Sequence, residues 1–143
     1  MHEAGGTQQR AKREGDALSG NDFGLSMADS TYGSGDFNVP HNIWIHEDVV
    51  YVADRENHRV QLFDVDGKYK STWTDFIQPT DIYIDDNDIA YVGELRDRMS
   101  IADLNGNVLS RWGRFPSQEP GQFYASHGIW AESHGDVYVG EVL

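Results

Sequence analysis

The chain has 143 residues, with 24 acidic against 11 basic side chains, a formal net charge of −13 and no cysteine. That acidity argues against nucleic acid as a partner, because phosphate binding needs clustered Lys and Arg, and the lack of cysteine excludes disulfides and thiolate metal sites. At 38% hydrophobic and 24% charged residues the balance is that of one globular domain. No apolar run nears the roughly 18 residues of a membrane span. The start Met1-His2-Glu3-Ala4 lacks the basic-then-apolar layout of a signal peptide. A soluble protein with no membrane partner is expected, the cytoplasm being the favoured compartment.

Residues 1–36 are rich in Gly, Ser, Asp, Gln and Lys and show no sustained apolar period, which reads as a polar, flexible N-terminal arm. A weak helix around Gln8 to Leu18 and a short ordered piece at Asp22 to Met27 are the only elements expected there. From Phe37 the pattern changes. Asn42 to Ile45, Val49 to Val52, Arg59 to Phe63 and Tyr69 to Trp73 are β-branched and aromatic runs of strand length. Asp66-Gly67 between the last two is a strong hairpin signal.

The pattern then recurs. Pro79-Thr80-Asp81-Ile82-Tyr83-Ile84 matches Pro40-His41-Asn42-Ile43-Trp44-Ile45, and Ala90-Tyr91-Val92-Gly93-Glu94 matches Val50-Tyr51-Val52-Ala53-Asp54. Ile101 to Asn107 matches Leu62 to Lys68, with Trp112 in the role of Trp73. A third copy starts near Phe123, with Ser126-His127-Gly128-Ile129-Trp130-Ala131 followed by Asp136 to Glu141. Four antiparallel strands at a period of about 40 residues predict an all-β chain, a partial β-propeller. Its blades span 37–75, 76–115 and, incompletely, 121–143. About two and a half blades do not close a ring of roughly 4–8 blades. The expectation is either a partial chain of a longer propeller or self-association with a second copy that completes it, exposed faces and edges favouring association in either case.

These repeats resemble NHL repeats. Val39-Pro40-His41 followed by Val52-Ala53-Asp54-Arg55-Glu56-Asn57 resembles, more narrowly, the peptidyl-hydroxyglycine (peptidylamidoglycolate) lyases, six-bladed propellers with zinc in the central channel. The resemblance implies that histidines opening the inner strands of alternate blades hold the zinc; His41 and His127 occupy those positions and Thr80 the one between. It implies that Arg55 is the channel-facing catalytic arginine, orienting an anionic group of a small-molecule or peptide-derived substrate or stabilising an oxyanion. The family's third histidine and its metal-side tyrosine have no counterpart here. Calcium, which the family also binds, does not carry over, because Gly128 stands where the family has an aspartate.

Other features read as solvent-facing or structural. His46, His58 and His134 fall in loops or outer positions and read as solvated, and Asp85-Asp86-Asn87-Asp88, which lacks the glycine and terminal glutamate of an EF-hand loop, reads as a solvated turn between strands. Glu94 and Glu141 stand in the slot of Asp54, where a backbone-binding role is favoured. Trp44, Tyr83 and Trp130 suit packing between blades. Two further function classes stay open: a non-enzymatic NHL propeller that binds proteins, and a lactonase-like hydrolase with a carboxylate-rich calcium site.

Overall fold

The computed structural model describes residues 33–114 and 116–142. The helix and ordered piece expected in the arm lie outside them. The first sheet holds β1 (Pro40–His46), β2 (Val49–Asp54), β3 (Arg59–Asp64) and β4 (Tyr69–Trp73). The second holds β5 (Pro79–Ile84), β6 (Ala90–Glu94), β7 (Arg98–Ala102) and β8 (Val108–Trp112). The third pairs β9 (Ser126–Ala131) with β10 (Val137–Glu141). All neighbours are antiparallel and consecutive in the chain. The one helical element among the described residues is a 3-10 turn at Arg55–Asn57. This all-β arrangement of four, four and two strands fits a partial, blade-like β fold.

Turn chemistry enforces the repeat. Between β3 and β4 the Asp64 carboxylate accepts the N–H groups of Asp66 and Lys68 at 3.1 and 2.8 Å, and Gly67 takes φ +84°. Between β7 and β8, Asp103 accepts from Asn105 and Asn107 at 2.8 and 3.0 Å, and Gly106 takes φ +81°. An aspartate that binds the backbone two residues on, with glycine supplying positive φ, makes a tight turn at little conformational cost. Asp85 does the same between β5 and β6, accepting from Asn87 and Ile89 at 2.9 and 3.0 Å, so the acidic run there is a turn.

The core lies between the first two sheets. Tyr51, Val60, Leu62 and Trp73 from one side meet Ile82, Ile84, Ala90, Val92 and Ala102 from the other, with Phe76 between them. Removing a side chain such as Ile82 from water contributes about 1.5–3 kcal/mol. Trp73 is pressed so closely on the β7–β8 turn that a Cβ on Gly106 would lie 2.4 Å from its ring. Gly33 to Asp36, read from sequence as part of the arm, join the first sheet: Arg59 Nη2 donates to the carbonyls of Gly33 and Asp36 at 2.9 and 2.7 Å.

Candidate metal centre at the strand starts

Each inner strand opens on a β-bulge at the same place. Pairing jumps from Pro40↔Asp54 to Asn42↔Ala53, from Pro79↔Glu94 to Asp81↔Gly93, and from Gly140↔Gly128 to Glu141↔Ser126. The residues skipped are His41, Thr80 and His127. A bulge re-aims the extra side chain out of the ladder, so these three turn toward one another across the sheets.

The outcome is a contact between the two histidines predicted as metal ligands. Their ring centroids are 4.4 Å apart, edge to face. His41 Nδ1 lies 2.7 Å from the carbonyl oxygen of Thr80. A carbonyl only accepts, so Nδ1 carries a proton, and in the neutral ring Nε2 is then the nitrogen with the lone pair. That is the tautomer a metal-binding histidine takes when its other nitrogen is fixed by backbone. The Thr80 hydroxyl links the second and third sheets, within hydrogen-bonding distance of the carbonyls of Ser126 (2.9 Å) and Gly93 (3.1 Å). The residue between the histidines thus holds the His41 ring through its carbonyl and ties the backbone just before His127 through its hydroxyl.

Asp81, which with Glu94 is a candidate calcium ligand in the hydrolase reading, stands beside Thr80. Its carboxylate accepts the N–H groups of Ile82 at 2.9 Å and Ile129 at 2.8 Å. Burial pushes its pKa above the ordinary aspartate value, against the backbone hydrogen bonds and the attraction of His41 and His127, which pull it down. Among the described residues no group of three or more His, Asp or Glu is arranged to hold a metal ion. His41 and His127 supply two imidazoles, whereas a catalytic zinc usually has three protein ligands.

Arg55 follows Asp54, the partner of Pro40, and so lies at the same end of the first sheet as His41. Its Nε donates to Glu56 at 2.8 Å. His46 pairs with Asp88 at 2.8 Å, away from the strand starts. The acidic slot is structural in all three sheets: Asp54 accepts the N–H of Asn38 at 2.8 Å, Glu94 that of Ile77, and Glu141 that of Tyr124 at 2.8 Å. Each donor stands two residues before its inner strand. Trp44, Tyr83 and Trp130 form the expected ladder, with centroids 5.0 and 4.8 Å apart.

No protein-family profile matches the chain, and no curated protein matches it. Among solved structures it is similar to hydrazine synthase of Kuenenia stuttgartiensis, at 18% identity and a TM-score of 0.60, covering 79% of this chain and 32% of that one. It is also similar to a Bacteroides fragilis protein described as exported, at 12% identity and a TM-score of 0.59, covering 77% of this chain and 32% of that one. At such identities the likeness shows fold alone. The chain is an all-β protein of repeated antiparallel sheets, spanning about a third of the length of either structure. No helix among the described residues is long and apolar enough to cross a membrane.

Proposed function

We propose that the three sheets are blades of an NHL-type propeller, and that His41 and His127 are two ligands of an axial zinc in a lyase acting on peptidyl-hydroxyglycine-like carbinolamides. The observation that supports this is the meeting of the two imidazoles, carried there by equivalent bulges, with the His41 tautomer held by Thr80. A bound zinc would supply Lewis-acid stabilisation to the substrate hydroxyl oxygen. In the reaction that hydroxyl gives up its proton and becomes the aldehyde carbonyl. The C–N bond breaks with its electron pair on nitrogen, which takes a proton to leave a primary amide. Arg55 is the positioning group for the substrate carboxylate: Glu56 occupies its Nε, while its two Nη groups make no bond among the described residues. The third ligand and the base come from outside the described residues, and a second copy of the chain is one source.

The calcium-dependent hydrolase is less well supported, because Glu94 is fully buried and ion-paired with Arg98 at 2.7 Å. A binding platform is favoured by one feature, the exposure of Ile43 and Ile45 (60% each) on one end face and of Trp130 (52%) and Tyr138 (53%) on the other.

Zinc binding near neutral pH, measured by titration and elemental analysis, separates the readings. The chain is expected to bind zinc, with at least about tenfold weaker binding in His41→Ala and in His127→Ala. His46→Ala and His134→Ala should match the parent. A chain that takes up no zinc, or keeps its affinity in both variants, would remove the lyase reading and leave the platform.

A further inference from the structure

The bulge that turns His127 inward is held from the second sheet by two consecutive residues of β5. Thr80 Oγ1 lies 2.9 Å from the carbonyl oxygen of Ser126, just before His127. Asp81 Oδ2 accepts the N–H of Ile129, two residues after His127, at 2.8 Å. The segment that carries the imidazole is gripped on both flanks. Gly93 leaves room for the first grip, since a Cβ there would lie 3.3 Å from Thr80 Oγ1, closer than ordinary contact.

The first sheet has no counterpart of the second grip. Asn42 stands in β1 where Asp81 stands in β5, and its Oδ1 is buried with no hydrogen-bond partner among the described residues. The N–H of Ile82, which matches Ile129 one sheet earlier, goes to Asp81 Oδ1 at 2.9 Å instead. A carboxylate has two accepting oxygens and can hold two amides at once, whereas an asparagine of the same shape offers one acceptor and turns an NH2 toward the other amide. Gly128, the matching residue of β9, has no side chain to offer. Only the middle sheet carries a side chain able to bridge.

We propose that Asp81 is a positioning residue for zinc capture: with the Thr80 hydroxyl, its carboxylate fixes the backbone on either side of His127 and keeps that ring against His41. This rests on the zinc reading above and adds to it the residue that sets the second ligand. Asp81 acts through His127, since each of its oxygens is taken by an amide. His41 does not depend on it, because the Thr80 carbonyl holds that ring directly at 2.7 Å. The effect is one-sided: loss of Asp81 frees His127 and leaves His41 in its tautomer.

Zinc titration of the full chain near neutral pH, paired with nitrogen-edited imidazole spectra of the metal-free protein, tests the assignment. Asp81→Ala should weaken zinc binding at least about tenfold. Asp81→Asn keeps one acceptor and should fall between Asp81→Ala and the parent; it also serves if the alanine variant does not fold. Asp85→Ala removes a carboxylate that likewise holds two amides, just past the far end of β5, and should lower the melting temperature with zinc affinity unchanged. In metal-free Asp81→Ala the ring signals of His127 should broaden or split, while His41 keeps its Nδ1-protonated nitrogen pattern. A parent that takes up no zinc would remove the lyase reading and this inference with it. A parent that binds zinc, with both Asp81 variants binding as tightly, or with His41 losing its pattern while His127 keeps its own, would overturn the inference alone.

Discussion

The second and third sheets start from nearly the same sequence, Ala90-Tyr91-Val92-Gly93-Glu94 and Val137-Tyr138-Val139-Gly140-Glu141, yet their glutamates sit in opposite environments. Glu94 is fully buried and holds Ile77, Ser100 and Arg98 together. Glu141 is exposed and holds one backbone N–H. The difference comes from the neighbouring strand, not from the residue. An acid at the end of the second strand is a local cap first, and it becomes an organising buried charge only once an arginine-bearing third strand closes over it.

The largest expected effect follows directly. Glu94→Ala leaves Arg98 buried, with 0% side-chain exposure, without its carboxylate partner, a change that costs about 3–5 kcal/mol. Glu141→Ala, at the matching position in the open sheet, should cost about 1 kcal/mol, the worth of one hydrogen bond. Urea unfolding of the two variants side by side measures the gap. Equal losses would mean that burial by the third strand is not what distinguishes the slots.

The turns give a second, smaller contrast. Gly67 and Gly106 occupy the same turn position with almost the same φ, +84° and +81°. A Cβ at Gly67 meets nothing within 4 Å, whereas one at Gly106 meets the Trp73 ring at 2.4 Å. Gly67→Ala should therefore cost about 1–2 kcal/mol, the backbone strain alone. Gly106→Ala adds overpacking, for a total of about 2–4 kcal/mol, with a change in Trp73 fluorescence. A Gly106→Ala protein as stable as Gly67→Ala would show that Trp73 yields easily, and that the sheet interface is looser than its geometry implies.

Much of the fold was legible because strands announce themselves locally. Alternation and β-branching marked the four strands of the first sheet, and the later strands were legible by their match to it; Tyr69 to Trp73 has its expected limits, while Asn42 to Ile45 lengthened to Pro40–His46. Placement at the site was legible only by analogy between repeats. His41 and His127 could be matched in register, but the bulges that skip them depend on how paired strands slip, which no single strand records. The Thr80 carbonyl that fixes the His41 tautomer belongs to a backbone, to which residue type is blind. Arg59, Gln61 and Arg98 looked like ordinary polar members of alternating strands. Their burial follows from carboxylates on adjacent strands, a pairing visible only after the sheets form.

The junctions between sheets supply the smallest contrast. A loop residue with positive φ accepts the N–H of the residue just before the next inner strand: His58 Nδ1 from Gln78 at 3.1 Å at the first junction, and Asp97 Oδ1 from Ala125 at 2.7 Å at the second. One acceptor is an imidazole and the other a carboxylate. His58 accepts only while Nδ1 is unprotonated, and burial, helped by Arg96, holds its pKa below the ordinary 6.5 against the pull of Glu56 and Glu94. Because the folded-state pKa is depressed, this stabilisation is full above about pH 6.5 and is lost as pH falls through the folded value. Acidification from pH 7.5 to 5 should remove about 1 kcal/mol, the worth of the hydrogen bond, from the first junction. The readout is the urea midpoint of the parent against His58→Asn, since asparagine tolerates the left-handed backbone at φ +54° and does not titrate. The variant should lose less stability over that interval, and amide exchange at Gln78 should quicken on acidification in the parent while Ala125 stays protected. Identical pH dependence in the two proteins would mean that His58 does not couple the first junction to protonation.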